Sequence, residues 1–164
     1  MSGTSITGGC QCGAVRFRVA RFGRASICHC RMCQKALGGF FGPFVTAYEL
    51  EWTRGGPKYF ASSDKARRGF CGACGTPLTY EYSGPPEVTI GALDNPELAP
   101  PTIQVNPADK LVFFDGLCAL PIRKPDEDPK AEAFKASLTS LQHPDHDTTE
   151  WPVKAADANE RGAR

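Results

Sequence analysis

The sequence predicts a mainly β fold of small, packed antiparallel sheets with a short C-terminal helix. Three observations carry that expectation: strand-length apolar segments recur along the chain, Gly- and Pro-rich turns separate them, and hardly any of the chain has helical spacing. With 164 residues, 41% hydrophobic and 23% charged at a formal net charge of +1, the chain reads as one globular domain of ordinary size. The near-neutral balance, without a Lys/Arg-dense stripe, argues against nucleic acid as a partner. No apolar run approaches the roughly 20 residues of a membrane span, and Met1-Ser2-Gly3-Thr4-Ser5 lacks the basic start and apolar stretch of a signal peptide, so a cytoplasmic protein is expected.

Residues 14–21 form the first expected strand. Val15, Phe17 and Val19 alternate with Arg16 and Arg18, which puts the apolar side chains on a core face and both arginines on a solvated one. Residues 31–37 have room for about two helical turns, ended by Gly38-Gly39 as a C-cap. Residues 40–48, 58–62, 67–71, 78–82, 88–92, 102–105 and 111–114 read as further short strands. Between them, Gly55-Gly56-Pro57, Gly84-Pro85-Pro86 and Asp94-Asn95-Pro96 supply turn chemistry. After Pro121 the composition becomes charged and proline-punctuated, and Asp128-Pro129 forms an N-cap and N1 pair for a short helix. Ala131, Phe134, Leu138 and Leu141 are spaced to share a face, which is expected to pack onto the domain or onto a second subunit in a homodimer. The organisation is therefore a domain over residues 5–121, a linker and amphipathic helix over 122–142, and a polar, mobile tail over 143–164 that includes His143 and His146.

Eight cysteines stand out in this composition, and in a reducing compartment so many thiols point to metal rather than disulfides. They fall into Cys10-Gln11-Cys12, Cys28-His29-Cys30-Arg31-Met32-Cys33, Cys71-Gly72-Ala73-Cys74, and Cys118 alone. Gaps of one and two bring thiolates within reach of one tetrahedral zinc, whereas such near neighbours rarely meet disulfide geometry. Seven clustered thiols cannot make two closed four-thiolate sites. The segment Cys71-Gly72-Ala73-Cys74-Gly75-Thr76-Pro77 looks like a zinc knuckle, and Cys10 and Cys12 point to the same side of an extended segment, so Cys10, Cys12, Cys71 and Cys74 are expected to form a closed structural site. Cys28, Cys30 and Cys33 remain. Three protein ligands with one open position is the arrangement of catalytic zinc, while Cys118 or His29 in the fourth position would make the site structural as well. Cys118 otherwise reads as a core thiol in Gly116-Leu117-Cys118-Ala119-Leu120.

The order of these motifs resembles the glutathione-dependent formaldehyde-activating enzyme family, which includes centromere protein V. The resemblance runs from Gly9 to about Leu120 and rests on Gly9-Cys10-Gln11-Cys12-Gly13, Cys28-His29-Cys30-Arg31-Met32-Cys33, and Arg68-Gly69-Phe70-Cys71 through Gly75-Thr76-Pro77-Leu78. It implies an Mss4-like, β-tent fold and two zinc ions per chain: a structural one on the outer cysteine pairs and one at the proposed active site on Cys28, Cys30 and Cys33. It also implies a carbon–sulfur lyase that joins a small thiol, glutathione, to a small carbonyl, formaldehyde. A zinc held by three thiolates takes an incoming thiol as fourth ligand and lowers its pKa. Many members carry a His-Ile-aromatic stretch and a Ser-Lys-Pro-Pro-Trp-like segment where this chain reads Thr102-Ile103-Gln104-Val105 and Ala108-Asp109-Lys110-Leu111-Val112-Phe113, a departure that bears on substrate choice.

Glutathione carries two carboxylates, and Arg31, Lys35, Arg67 and Arg68 are the cations nearest the second cluster in sequence. Arg68 is the first candidate to bind the carboxylate of a thiol substrate. The aromatic run Phe40-Phe41-Gly42-Pro43-Phe44 is a candidate pocket wall, or core. A second class of function stays open at this point: a non-catalytic two-zinc structural or protein-interaction module.

Overall fold

A computed structural model of the protein describes residues 6–152. Among these residues, ten strands build two sheets. Strands β1 (Ile6–Gly9), β2 (Arg16–Val19) and β5 (Glu51–Arg54) form a three-stranded antiparallel sheet in the order β1-β2-β5. The other sheet uses β3 (Arg21–Cys28), β4 (Gly42–Tyr48), β6 (Lys58–Ala61), β7 (Arg67–Phe70), β8 (Pro77–Glu81), β9 (Glu87–Thr89) and β10 (Ile103–Val105) in the order β10-β3-β4-β9-β8-β7-β6. Its pairings are antiparallel except β10 with β3, which run parallel with Val105 opposite Cys28. The fold is thus mainly β, as expected, with one parallel edge.

The core lies between the sheets. Phe17, Val19, Val45, Leu78 and Val88 fill it, Phe17 meets Trp52 edge-on at 5.9 Å, and Cys10 and Cys71 belong to the same cluster. The expected first strand is shorter than residues 14–21, because the chain turns at Ala20 into β3. Strands β1 and β3 escape a search for alternating apolar residues, since Ile6-Thr7-Gly8-Gly9 and Arg21-Phe22-Gly23-Arg24 carry glycines where such a search expects side chains, and β5 escapes it because Trp52 is its one large apolar residue. In β1 the glycine is required. A Cβ on Gly8 would lie 2.4 Å from the Ala92 carbonyl oxygen and 2.5 Å from Phe17 Cζ. Residues 111–114 are not a strand either: they make a turn that runs into a 3-10 helix, Phe114–Ala119.

Arg16 corrects the sequence reading. It is 2% exposed, not solvated, because Asp94 and residues 143–151 cover its side of β2. Its Nη1 donates to Asp94 Oδ1 at 2.7 Å and its Nε to Asp147 Oδ1 at 2.9 Å. Arg18, two residues on, is exposed and pairs with Glu51 at 2.6 Å. Breaking a buried pair leaves an uncompensated charge, so Arg16→Leu should cost about 3–5 kcal/mol and Arg18→Ala about 0–1 kcal/mol. Equilibrium denaturation of the two variants measures the contrast; equal losses would show that burial of Arg16 has no energetic weight.

The C-terminal region also departs from expectation. Helix α2 (Pro129–Ser137) starts as read, with the Asp128 carboxylate accepting from the Ala131 N–H at 3.0 Å. Leu138 is already extended, and Phe134, Leu138 and Leu141 are 65%, 60% and 82% exposed, so no apolar face packs onto the domain. Residues 143–151 instead dock on it. The His143 N–H donates to the Gln11 carbonyl at 2.7 Å, Trp151 Nε1 donates to the Cys12 carbonyl at 2.7 Å, and Arg54 Nη2 donates to the Thr148 carbonyl. This anchoring is made of polar contacts, which an apolar pattern search does not register. Gly13, at φ 77°, underlies His143; a Cβ there would lie 2.1 Å from His143 Cδ2. His146 is exposed, and residues 153–164 of the expected tail lie outside the described residues. Among the described residues, no helix is long and apolar enough to cross a membrane.

Docking makes this strap acid-sensitive. Burial lowers the His143 pKa below 6.5, and the nearby Arg16 and Arg54 charges lower it further, against the opposing Pro144 carbonyl bond and Asp94. Between that lowered value and 6.5 the undocked histidine holds more protons than the docked one, so docking weakens as the pH falls through 6.5. Trp151 emission in a Trp52→Phe background should report release over that interval; a flat profile would contradict it.

Candidate metal centres

The first centre is built from two turns. The turn at residues 10–13 joins β1 to β2, with the Gly13 N–H donating to the Cys10 carbonyl at 3.0 Å and the Val15 N–H to Cys10 Sγ at 3.2 Å. The knuckle at residues 71–75 joins β7 to β8. There the Gly75 N–H reaches the Cys71 carbonyl at 2.9 Å from a residue at φ 79°, and the Ala73 N–H reaches Cys71 Sγ at 3.4 Å. Thr76 ties the two turns together: its hydroxyl oxygen accepts from the Gln11 N–H at 3.0 Å, which leaves its proton for Cys74 Sγ at 3.1 Å.

The sulfurs of Cys10, Cys12, Cys71 and Cys74 all lie within 4.8 Å of one another, with Cys10–Cys12 at 3.6 Å and Cys12–Cys71 at 3.9 Å. A tetrahedral zinc with 2.3 Å bonds separates its sulfurs by about 3.8 Å, so this donor set fits the ion. Burial pushes the Cys10 thiol up to about 12. At Cys74 burial acts in the same direction, but the Thr76 hydroxyl and backbone hydrogen bonds outweigh it and bring the thiol down to about 6. Holding Cys10 as a thiolate at neutral pH therefore takes a cation.

The second centre sits where β3 ends and helix α1 (Arg31–Leu37) begins. Cys28 is the last residue of β3, Cys30 is the N-cap, and Cys33 is in the first turn. The helix ends as read, on Gly38 at φ 63° with its N–H on the Gln34 carbonyl. The sulfurs of Cys28, Cys30 and Cys33 lie within 4.8 Å of one another. Each accepts one N–H: Cys30 from the Cys33 backbone at 3.4 Å, Cys33 from Arg68 Nη2 at 3.3 Å, and Cys28 from Asn106 Nδ2 at 3.1 Å. Burial drives the Cys33 thiol up to about 12 against the pull of Arg68. Cys30, also raised by burial, ends below its ordinary value because the Cys33 N–H, its neighbouring sulfurs and the Arg68 charge together prevail.

Neither candidate fourth ligand joins this group among the described residues. His29 is fully buried; its Nε2 pairs with Gln104 Oε1 at 2.9 Å, and its ring meets Phe114 edge-on at 4.6 Å. Cys118 is exposed on the 3-10 helix, which corrects its reading as a core thiol.

Of the four cations read from the sequence, only Arg68 reaches the cysteines. Arg31 turns back to Gln34 at 2.9 Å, Arg67 pairs with Glu81 at 2.9 Å and lies over the Tyr59 ring, and Lys35 is exposed in the last turn of α1. Asn106 escapes sequence reasoning because it is brought in by the parallel register of β10. Its left-handed backbone, φ 54°, is the kind of position asparagine tolerates, but nothing local marks it as a partner of Cys28. Two cavities flank α1. One, of about 230 Å³, is lined by Ala36, Leu37, Phe60, Arg68, Phe70 and Pro77 among others; the other, of about 470 Å³, is lined by residues including Leu37, Phe40, Phe41, Pro43 and Pro77. Phe40, Phe41 and Pro43 thus wall a pocket, whereas Phe44 is core.

Two small sheets carrying one group of four sulfurs and one of three define a mainly β protein equipped to hold soft divalent metal. Residues 5–108 match the family model described as glutathione-dependent formaldehyde-activating enzyme, and the chain belongs to that family. Among solved structures, a crystal structure of a Rhodobacter sphaeroides protein is similar at 22% identity and a TM-score of 0.47, covering 60% of this chain and 99% of that one. No curated protein matches the chain.

Proposed function

We propose that the chain is a zinc-dependent enzyme of the carbon–sulfur lyase type, making or breaking an adduct between a small thiol and a small carbonyl at Cys28, Cys30 and Cys33. Glutathione and formaldehyde are the pair named by the family. The observation that carries this reading is the three-sulfur group with no fourth protein donor among the described residues. One zinc on Cys10, Cys12, Cys71 and Cys74 and a second on the three-cysteine group give two per chain. Zinc bound there supplies an exchangeable coordination position that lowers the pKa of an incoming thiol. The protein's own groups place and orient the sulfurs that would hold it: helix α1 fixes Cys30 and Cys33, the parallel register of β10 delivers Asn106 to Cys28, and Arg68 donates to Cys33 and would offset its thiolate charge.

In this reading residues 5–121 form the catalytic unit, and a reducing compartment, the cytoplasm, keeps the seven thiols available. Cobalt substitution tests it. A cobalt(II)–thiolate absorption that changes on adding glutathione, from one of two bound ions, supports the enzyme. Two ions that are inert to added thiol favour the non-catalytic module instead.

A further inference from the structure

Arg68 is held more tightly than a residue awaiting a peptide carboxylate. It is 4% exposed; its Nε donates to Ser62 Oγ at 2.9 Å, its Nη2 to Cys33 Sγ at 3.3 Å, and its guanidinium carbon lies 4.9 Å from the centre of the Tyr80 ring. One donor nitrogen remains. Nη1 is buried without a partner, and Arg68 lines the cavity of about 230 Å³. Apart from Arg68, that cavity is lined by Ala36, Leu37, Phe60, Phe70, Pro77 and other uncharged residues, so no carboxylate of the protein competes for Nη1. Nε and Nη2 each already donate to the protein, so Nη1 is the nitrogen whose N–H groups have no protein partner. An unpartnered guanidinium nitrogen on the same side chain that donates to Cys33 is placed to donate to an oxygen on a carbon reacting near that sulfur.

We infer that Nη1 of Arg68 receives the carbonyl oxygen of the aldehyde, so that this residue contacts the reacting atoms rather than a remote carboxylate of the thiol. The inference rests on the thiol–carbonyl reading above. In the forward direction the thiolate sulfur bonds to the carbonyl carbon, the C=O π pair moves onto oxygen, and a proton from solvent completes the hydroxyl. Arg68 stays protonated throughout and donates to the oxygen as charge develops there. In reverse it stabilises the same oxygen while the C–S bond breaks.

The test compares the zinc-loaded full chain with its Arg68→Lys variant, forming adducts from formaldehyde with either 2-mercaptoethanol, which has no carboxylate, or glutathione. A donor to the carbonyl oxygen predicts a fall in kcat of about 10²–10³-fold, equal for the two thiols, with the thiol KM unchanged. A loss confined to glutathione and expressed in KM overturns the inference in favour of carboxylate binding. Because the variant also alters the contact with Cys33, the guanidinium ¹⁵N resonances of wild-type Arg68 provide a second readout. They should shift with preformed S-hydroxymethyl adduct of 2-mercaptoethanol and not with the thiol alone; no shift, or an equal shift with the thiol, refutes the role. Absence of wild-type turnover with both thiols counts against the proposed activity, and the resonances still decide the place of Arg68.

Discussion

Cys71→Ser is expected to unfold the chain rather than simply to reduce its activity. Cys71 is 1% exposed, sits in the same core cluster as Phe17 and Leu78, and anchors a group of four sulfurs drawn from two turns about sixty residues apart. A structural zinc contributes about 10–16 kcal/mol in zinc-finger peptides, as large as the whole stability of a domain, about 5–15 kcal/mol. Losing one of its ligands in the core should therefore abolish the cooperative thermal transition and release metal. Circular dichroism and metal analysis read both effects. A variant that melts cooperatively near the wild-type midpoint would remove the basis for calling this centre structural.

Cys30→Ser is expected to do the reverse, abolishing thiol-dependent activity and leaving the fold in place. Cys30 is partly exposed; its sulfur caps a helix of seven residues and packs only at the margin of the small cluster of Cys28, Cys33 and Phe44, away from the main core. Serine is itself a good N-cap, so α1 keeps its start. The thermal midpoint should stay within about 4 °C of wild type, the shift produced by about 1 kcal/mol in a chain of this size. Activity should fall by more than the roughly 10–100-fold cost of losing an outer partner of a metal site. Unfolding on the scale of Cys71→Ser would show that the two centres do not have separate roles.

What could be read in the sequence was local. Helix α1 and its Gly38 cap follow from residues within one turn of each other, and the Asp128-Pro129 helix start is equally local. Cysteine spacing suggested groups of four and three, and the sulfurs lie in those groups. The unread parts depend on distant partners. Arg16 looks like a solvated strand residue until Asp94 and Asp147 are placed over it. His143 looks like a tail residue until the Gln11 carbonyl and the bare Cα of Gly13 accommodate it. Asn106 has no chemistry visible in sequence, and only the β10–β3 pairing gives it a sulfur to bind. Arg68 was visible as a cation, but its geometry assigns it to Cys33 and Ser62 first.

The distribution of these partners along the chain sets an order of events during synthesis. Cys28, Cys30 and Cys33 lie within six residues of one another, whereas the four-sulfur group waits for Cys74. At about 5–20 residues per second the ribosome delivers the knuckle at residues 71–75 several seconds later, and Asn106 later still. The three-cysteine segment is thus synthesised before Arg68 and Asn106, the side chains that donate to Cys33 and Cys28, so those two sulfurs gain their side-chain donors only as the later strands are added.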